Sequence, residues 1–327
     1  MTDEVNALGE TLLEVKNLKK YFHVAAGTLH AVDDVSFTIK EGHTLGIVGE
    51  SGCGKTTLGR TILRLIEPTS GEMIFNGKDL RKLDAGEMRY MRREMQIIFQ
   101  DPYSSLNPRK TISETIEEPI LLAGLIPDSD KRFMRVLDLM DTVGLAQRLI
   151  NTYPHELDGG RRQRVGIARA LAMNPKFIVC DEPVSSLDVS IQAQILNLLM
   201  DLEEELGLTY MFITHDMSVV KHISNKIMVM YLGKCVEMAP SDELFAHPRH
   251  PYTQALLSAI PVADLSTRDK EFVLLRGEVS NPINVKPGCR FARRCDFCSE
   301  ACSQADPEPV EVGPGHFVSC FLMRKEA

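Results

Sequence analysis

No run of eighteen apolar residues occurs anywhere in the chain, so no transmembrane helix is expected. The first ten residues, Met1–Glu10, are acidic and lack the basic, apolar and small-residue regions of a secretory leader. Basic residues are outnumbered: 37 Lys and Arg face 45 Asp and Glu, a formal net charge of −8. That balance excludes a protein whose business is to coat nucleic acid, which would carry a basic footprint. Internal repeats and low-complexity segments are missing too. A cytosolic protein is the expectation, and eight cysteines in that compartment are not expected to form disulfides. Cys53, Cys180 and Cys235 are scattered and read as small packed side chains, whereas the other five lie between Cys289 and Cys320.

What is present is enough for a large domain with an appendage: 327 residues, 44% of them apolar. The informative stretch is Ile47–Leu58. Leu45 to Val48 reads as a buried strand, a glycine-rich turn follows, and a helix starts near Lys55. Gly49 to Thr56 fits the phosphate-loop pattern G-x-x-x-x-G-K-[ST] at every fixed position. In such a loop (Gly49, Glu50, Ser51, Gly52, Cys53, Gly54) consecutive N–H groups point at phosphate oxygens, and the start of the helix adds positive potential. Lys55 then reaches the outer phosphates, Thr56 offers a hydroxyl to Mg²⁺, and Thr57 holds the inner phosphate. A nucleoside triphosphate is the expected ligand.

Around this loop the pattern is α/β. Leu12–Tyr21 reads as a strand, and Thr28–Ile39 alternates apolar and polar residues as a half-buried strand does. Gln96–Gln100 reads as a buried strand. Between residues 101 and 170 prolines punctuate amphipathic helical pieces, an expected helical subdomain. Phe177–Glu182 is four apolar residues and then two carboxylates, a buried strand delivering Asp181 and Glu182 at its end. One acid there suits Mg²⁺ and the other polarises a water; a helix cap is the bland alternative. His215 closes the next strand, Thr209–Thr214. Strands Lys226–Tyr231 and Lys234–Met238 follow. Boundaries are expected near residues 10 and 245, giving a tail (1–10), a nucleotide-binding domain (11–245) and a C-terminal extension (246–327).

Taken together, these motifs resemble an ABC-transporter ATP-binding subunit from about Leu12 to Glu237. Gly49–Thr56 is similar to Walker A, Gln100 to the Q-loop glutamine, and Leu157-Asp158-Gly159-Gly160-Arg161 to the LSGGQ signature. Phe177–Glu182 is similar to Walker B, Ser186-Leu187-Asp188 to the D-loop, His215 to the switch histidine, and Tyr21 to the aromatic that stacks on adenine. His250-Pro251-Tyr252-Thr253, Asn107-Pro108-Arg109 and Pro287–Phe291 resemble oligopeptide and dipeptide importer ATPases. The resemblance implies an ABC-type nucleotide-binding domain with an antiparallel β subdomain, a helical subdomain and a small cysteine-containing domain. It implies Glu182, Gln100 and His215 as catalytic and γ-phosphate-sensing groups, and Thr56, Gln100 and Asp181 on Mg²⁺. Asp158, Gly159, Gly160 and Asp188 would face the nucleotide of a second, non-identical ATPase subunit. Two transmembrane permeases and, indirectly, an extracellular peptide-binding protein are the implied partners, with no nucleic acid, at the cytoplasmic face of the membrane. Nickel chelates or oligosaccharides are alternative cargoes, and a soluble ABC ATPase acting on ribosomes or DNA, or a non-hydrolysing nucleotide-binding subunit, are the competing functions.

The tail cysteines (Cys289, Cys295, Cys298, Cys302, Cys320) suggest metal by composition alone, zinc or an iron–sulfur cluster. The family's similar tail implies a [4Fe–4S] cluster on Cys289, Cys295, Cys302 and Cys320, with Cys298 spare. Against the family pattern, the signature carries Asp158 where a serine is usual and Arg161 for glutamine. A carboxylate about 4 Å from a γ-phosphate, at an effective dielectric near 20, costs on the order of 4 kcal/mol per pair of unit charges. The expectation is a weak or non-hydrolysing site on the partner; Asp158 is also a good N-cap for the helix beginning near Gly160, and Arg161 offsets part of the repulsion where it pairs with Asp158 or the phosphate.

Overall fold

A computed structural model describes residues 10–260 and 282–325. Two long strands open it, β1 (Thr11–Val24) and β2 (Gly27–Lys40). The alternation read in the sequence is visible as burial in β2: Val35, Phe37 and Ile39 lie inside, and Asp34, Ser36 and Thr38 face solvent. Strand β3 (Thr44–Val48) is buried at every position, and α1 (Lys55–Ile62) follows the glycine turn. Next come β4 (Ser70–Phe75), β5 (Lys78–Asp79), α2 (Ala85–Glu94) and β6 (Met95–Ile98). Asp84 and Glu87 form a capping box at the start of α2. The proline-punctuated region holds α3 (Pro102–Ser105), α4 (Ile112–Ala123), α5 (Ser129–Thr142) and α6 (Gly159–Leu171). Then β7 (Phe177–Asp181), α7 (Val189–Leu206), β8 (Thr209–Ile213), α8 (Met217–Ile223), β9 (Lys226–Tyr231) and β10 (Lys234–Pro240) alternate. Helices α9 (Ser241–Ala246), α10 (Pro251–Ser258) and α11 (Ala301–Gln304) and strands β11 (Val310–Gly313) and β12 (His316–Val318) complete the order.

The chain forms two compact units. The first holds Lys40–His43 and Lys82–Ile213. Its sheet is parallel: β6 pairs with β7 (Met95 opposite Phe177) and β7 with β8 (Phe177 opposite Thr209). Strands β7 and β8 are buried at every position, as parallel strands covered on both faces should be. Pro119 lies inside α4 and does not end it, contrary to the punctuation read in the sequence. A capping box of Thr111 and Glu114 starts that helix, and Gly124 in the left-handed region (φ 63°) closes it. Caps worth about 1 kcal/mol each offset part of what an interior proline costs.

The second unit holds Thr11–Ile39, Thr44–Arg81 and the described residues from Thr214 onward. An antiparallel sheet runs β2-β1-β4-β5. A second sheet runs β3-β9-β10-β12-β11, with β3 and β9 parallel and the rest antiparallel. Its core includes Val48, Val229, Tyr231, Leu244, Tyr252 and Phe291, so the residues after α9 share one apolar interior with the strand that leads into the phosphate loop.

Candidate active site

The loop from Gly49 to Gly54 has a shape that only glycine permits at two places. Gly49 (φ 152°) would push a Cβ to 2.2 Å from the Met230 carbonyl oxygen, and Gly54 (φ 106°) would push one to 2.0 Å from that of Ala31. The Cys53 N–H closes a turn on the Glu50 carbonyl at 3.3 Å, and the Gly233 N–H holds the Cys53 carbonyl at 2.8 Å. Lys55 is buried (5% exposed). Its ammonium donates to the carbonyls of Gly49 at 2.7 Å and Glu50 at 3.1 Å, a lysine already aimed along the loop. Ser51 and Gly52 are exposed at the crest; Thr56 and Thr57 stand half-buried in the first turn of α1. Helix α1 has no side-chain cap at Gly54, so its first N–H groups have no capping side chain to take them. A polyanion suits that end.

In the other unit, β7 ends on Asp181, which is 1% exposed. Glu182 follows in the left-handed region (φ 49°), an uncommon conformation for a non-glycine residue and one found at functional sites. The Glu182 N–H is fixed to the Ile213 carbonyl at 2.9 Å. Its carboxylate Oε2 accepts from Gln100 Nε2 at 3.0 Å, and the same amide lies 3.5 Å from Ser185 Oγ. The structure thus brings Gln100 and Glu182, 82 residues apart in sequence, within hydrogen-bond reach, as the resemblance implied. His215 is exposed just past Thr214, whose N–H bonds the Ile47 carbonyl at 3.0 Å.

Asp158 caps α6: Oδ1 accepts from the Arg161 N–H at 2.8 Å, and Oδ2 lies 3.2 Å from Arg161 Nη1. The bland role read for it is therefore real. Gly159 and Gly160 let α6 approach the D-loop side; a Cβ on Gly160 would meet Ile191 Cγ2 at 2.6 Å. Asp188 is exposed before α7, and its carbonyl accepts from the Gln192 N–H at 2.8 Å. Tyr21 is stacked on His30, ring centres 4.2 Å apart, and its hydroxyl donates to Asp33 at 2.5 Å. One ring face is thereby covered.

The family description "ABC transporter" matches residues 32–185, and "Oligopeptide/dipeptide transporter, C-terminal region" matches residues 236–302. The putative oligopeptide transport ATP-binding protein YkfD of Bacillus subtilis (strain 168) is 50% identical over 315 residues, 96% of either chain. The dipeptide transport ATP-binding protein DppF of Escherichia coli (strain K12) is 45% identical over 332 residues, covering 100% of this chain and 98% of that one. The chain belongs to the ABC transporter family, among its oligopeptide and dipeptide transport ATP-binding proteins. A solved ABC cassette, a dimer in a post-hydrolysis state with ADP and Pi, is 33% identical with a TM-score of 0.64, covering 70% of this chain and 98% of that one.

Residues to which the sequence reading gave no role contact Tyr21 and Glu50. Burial works against the Asp33 carboxylate, but Tyr21, Lys234 and Arg290 outweigh it and hold its pKa below the usual carboxylate value. Arg294 pairs with Glu50, and Tyr252 bonds its N–H. The cysteine expectation is corrected. Cys289 and Cys302 are joined through the backbone at 2.8 Å. Burial pushes the Cys289 thiol up to about 12, and nearby Cys302, Cys320 and Cys295 add to it. Yet among the described residues no group of three or more His, Cys, Asp or Glu side chains is arranged to hold a metal ion. Neither zinc nor a [4Fe–4S] cluster on Cys289, Cys295, Cys302 and Cys320 is supported: Cys320 is buried, while Cys289, Cys295 and Cys302 are only half-buried.

Proposed function

We propose that the chain is the ATP-hydrolysing subunit of an importer of oligopeptides or dipeptides, seated on the cytoplasmic face of the cell membrane against two transmembrane permeases that an extracellular peptide-binding protein supplies. Among the described residues no helix is long and apolar enough to cross a membrane, so the permeases carry the passage. In this reading Gly49 to Thr57 receive the phosphates of ATP. The hydroxyl of Thr56, the carboxylate of Asp181 and the amide oxygen of Gln100 are hard oxygen donors of the kind Mg²⁺ takes. That ion would offset charge on the outer phosphates. Glu182 accepts the proton of the attacking water, Gln100 holds its carboxylate in place, and His215 senses the γ-phosphate. Asp158, Gly159, Gly160 and Asp188 serve the nucleotide of a second, non-identical ATPase subunit. ATP closes the pair and hydrolysis reopens it.

The observation that carries this reading is Glu182 itself: a carboxylate turned out of a buried strand by a left-handed residue and held at 3.0 Å by Gln100. Glu182→Gln keeps the shape and removes the base. ATP binding should persist while hydrolysis by the permease-bound complex falls by roughly 10²- to 10⁴-fold. Turnover at the unaltered rate would remove Glu182 from its role.

A further inference from the structure

Glu50 is held by two groups that the phosphate-loop pattern does not contain. Its N–H donates to the Tyr252 hydroxyl at 2.9 Å. Its carboxylate is gripped from both sides by Arg294, with Nη1 at 2.7 Å from Oε2 and Nη2 at 3.0 Å from Oε1. Arg294 also reaches the Tyr231 hydroxyl at 3.3 Å. The side chains are little exposed, 7% for Arg294 and 25% for Glu50, so solvent screens the pair weakly. The two-pronged geometry fixes orientation as well as charge.

The arm that presents these groups is itself anchored. Phe291 meets Tyr231 edge-on, ring centres 5.3 Å apart and planes at 86°, and lies 5.4 Å from Tyr252. Tyr252 meets Tyr231 at 4.8 Å. Three aromatic rings therefore lock the positions of Arg294 and of the Tyr252 hydroxyl relative to the strand that enters the loop. Hydrogen bonding to Glu50 raises the pKa of the Arg294 guanidinium further, so it is charged at any working pH.

The chemistry of the loop explains why this matters. A site that gathers a polyanion has a carboxylate one residue after its first glycine. Left bare, that charge repels phosphate. The Glu50 carbonyl also accepts from Lys55, so a Glu50 that shifts would carry the lysine with it. We propose that Arg294 is a positioning residue of the ATP site: it neutralises Glu50 and, with Tyr252, holds the first turn of the phosphate loop in its receiving shape. The C-terminal region is then a working part of the ATP site. This rests on reading Gly49 to Thr56 as the place where phosphates bind.

The test is titration of Mg·ATP into the purified full chain, with melting temperature followed in parallel. Arg294→Met should weaken binding about tenfold, the size of one charge-assisted contact. Arg294→Lys, which keeps the charge but loses the fork, should recover part of it. In a Glu50→Gln background the same Arg294→Met change should cost less than about twofold, because no carboxylate is left to neutralise. An equal loss in both backgrounds would mean that Arg294 only supports the fold and would overturn the proposal, as would unaltered affinity in Arg294→Met. Should Arg294→Met fail to fold, Arg294→Lys measured with and without Glu50→Gln reads the same coupling. Lys55→Ala tells the two readings apart: if it abolishes binding while Arg294 variants do not matter, only the positioning role falls. Unchanged binding in Lys55→Ala overturns the phosphate loop and the proposal with it.

Discussion

His250 is 1% exposed, and burial pushes its pKa down from 6.5 to about 4, although the nearby Glu237 works in the opposite direction. Its Nδ1 accepts the Tyr252 N–H at 3.1 Å, its own N–H donates to Glu237 at 3.0 Å, and its ring tilts against Phe291 at 5.7 Å. Glu237 also takes the His316 Nε2 at 2.7 Å. A histidine with a depressed native pKa costs stability in acid. Between pH 6.5 and 4 the unfolded chain binds a proton that the native chain refuses. Its contribution is therefore complete above pH 6.5 and drains away as the pH falls towards 4. Going from pH 7 to pH 5 should cost about 2 kcal/mol at this residue. His250→Asn, which keeps an acceptor for the Tyr252 N–H, should have a flatter stability profile over that range. Denaturant titrations at pH 7, 6 and 5 check it, and an identical acid slope in both proteins would show that some other group titrates.

Among the elements, strands and helices with a strong local pattern were legible. The alternation of β2 and the continuous apolar runs of β3, β7 and β8 are each imposed by one sheet environment, and each reads directly from side-chain order. Helix α8 was not legible: seven residues are too few for a period, and its start is fixed by Asp216 accepting the N–H groups of Ser218 and Val219. Strands β11 and β12 are four and three residues long and gain their order from pairing, β12 with β10 and β11 with β12. The active-site motifs were legible because the loop must curl within eight residues. The supports were not: Tyr252 and Arg294 are 202 and 244 residues from Glu50, and nothing local records so distant a partner. Two glycines, one inside the phosphate loop and one in the turn before β3, give a prediction. At Gly54 a methyl meets backbone at 2.0 Å with φ at 106°, whereas at Gly42 (φ 69°) a Cβ would have nothing within 4 Å. Gly42→Ala should cost about 1 kcal/mol through φ alone. Gly54→Ala should cost several times that and also abolish ATP binding. Calorimetric melting with nucleotide titration separates them, and equal effects from the two would refute the assignment of the close approach at Gly54.

At the scale of the whole molecule the question is how a cassette works when its signature departs from its family. Asp158 keeps both carboxylate oxygens occupied by Arg161, and both side chains are more than half exposed, at 58% and 53%. Solvent and Arg161 therefore reduce the repulsion that a bare carboxylate would present to a γ-phosphate, but neither supplies the hydroxyl donor that a serine would. The phosphate loop, Glu182 and Gln100 on the same chain are complete. In the proposed reading, the ATP site that uses this chain's phosphate loop and the partner's signature keeps its full set of groups, whereas the site that receives Asp158 would lack the serine's donor. The two ATP sites of one complex should then be unequal, and the second ATPase should be a different protein carrying the better signature. Glu182→Gln should abolish turnover of the assembled transporter. The equivalent change in the second ATPase should lower it by no more than about twofold. Asp158→Ser should restore weight to that second site, so that disabling its glutamate then costs a larger share of the rate. Steady-state ATP hydrolysis by the four complexes decides the matter. Equal losses from either glutamate in the unaltered background sink the asymmetry, and so does full-rate turnover by this chain paired with itself, since Asp158 would then face a productive site.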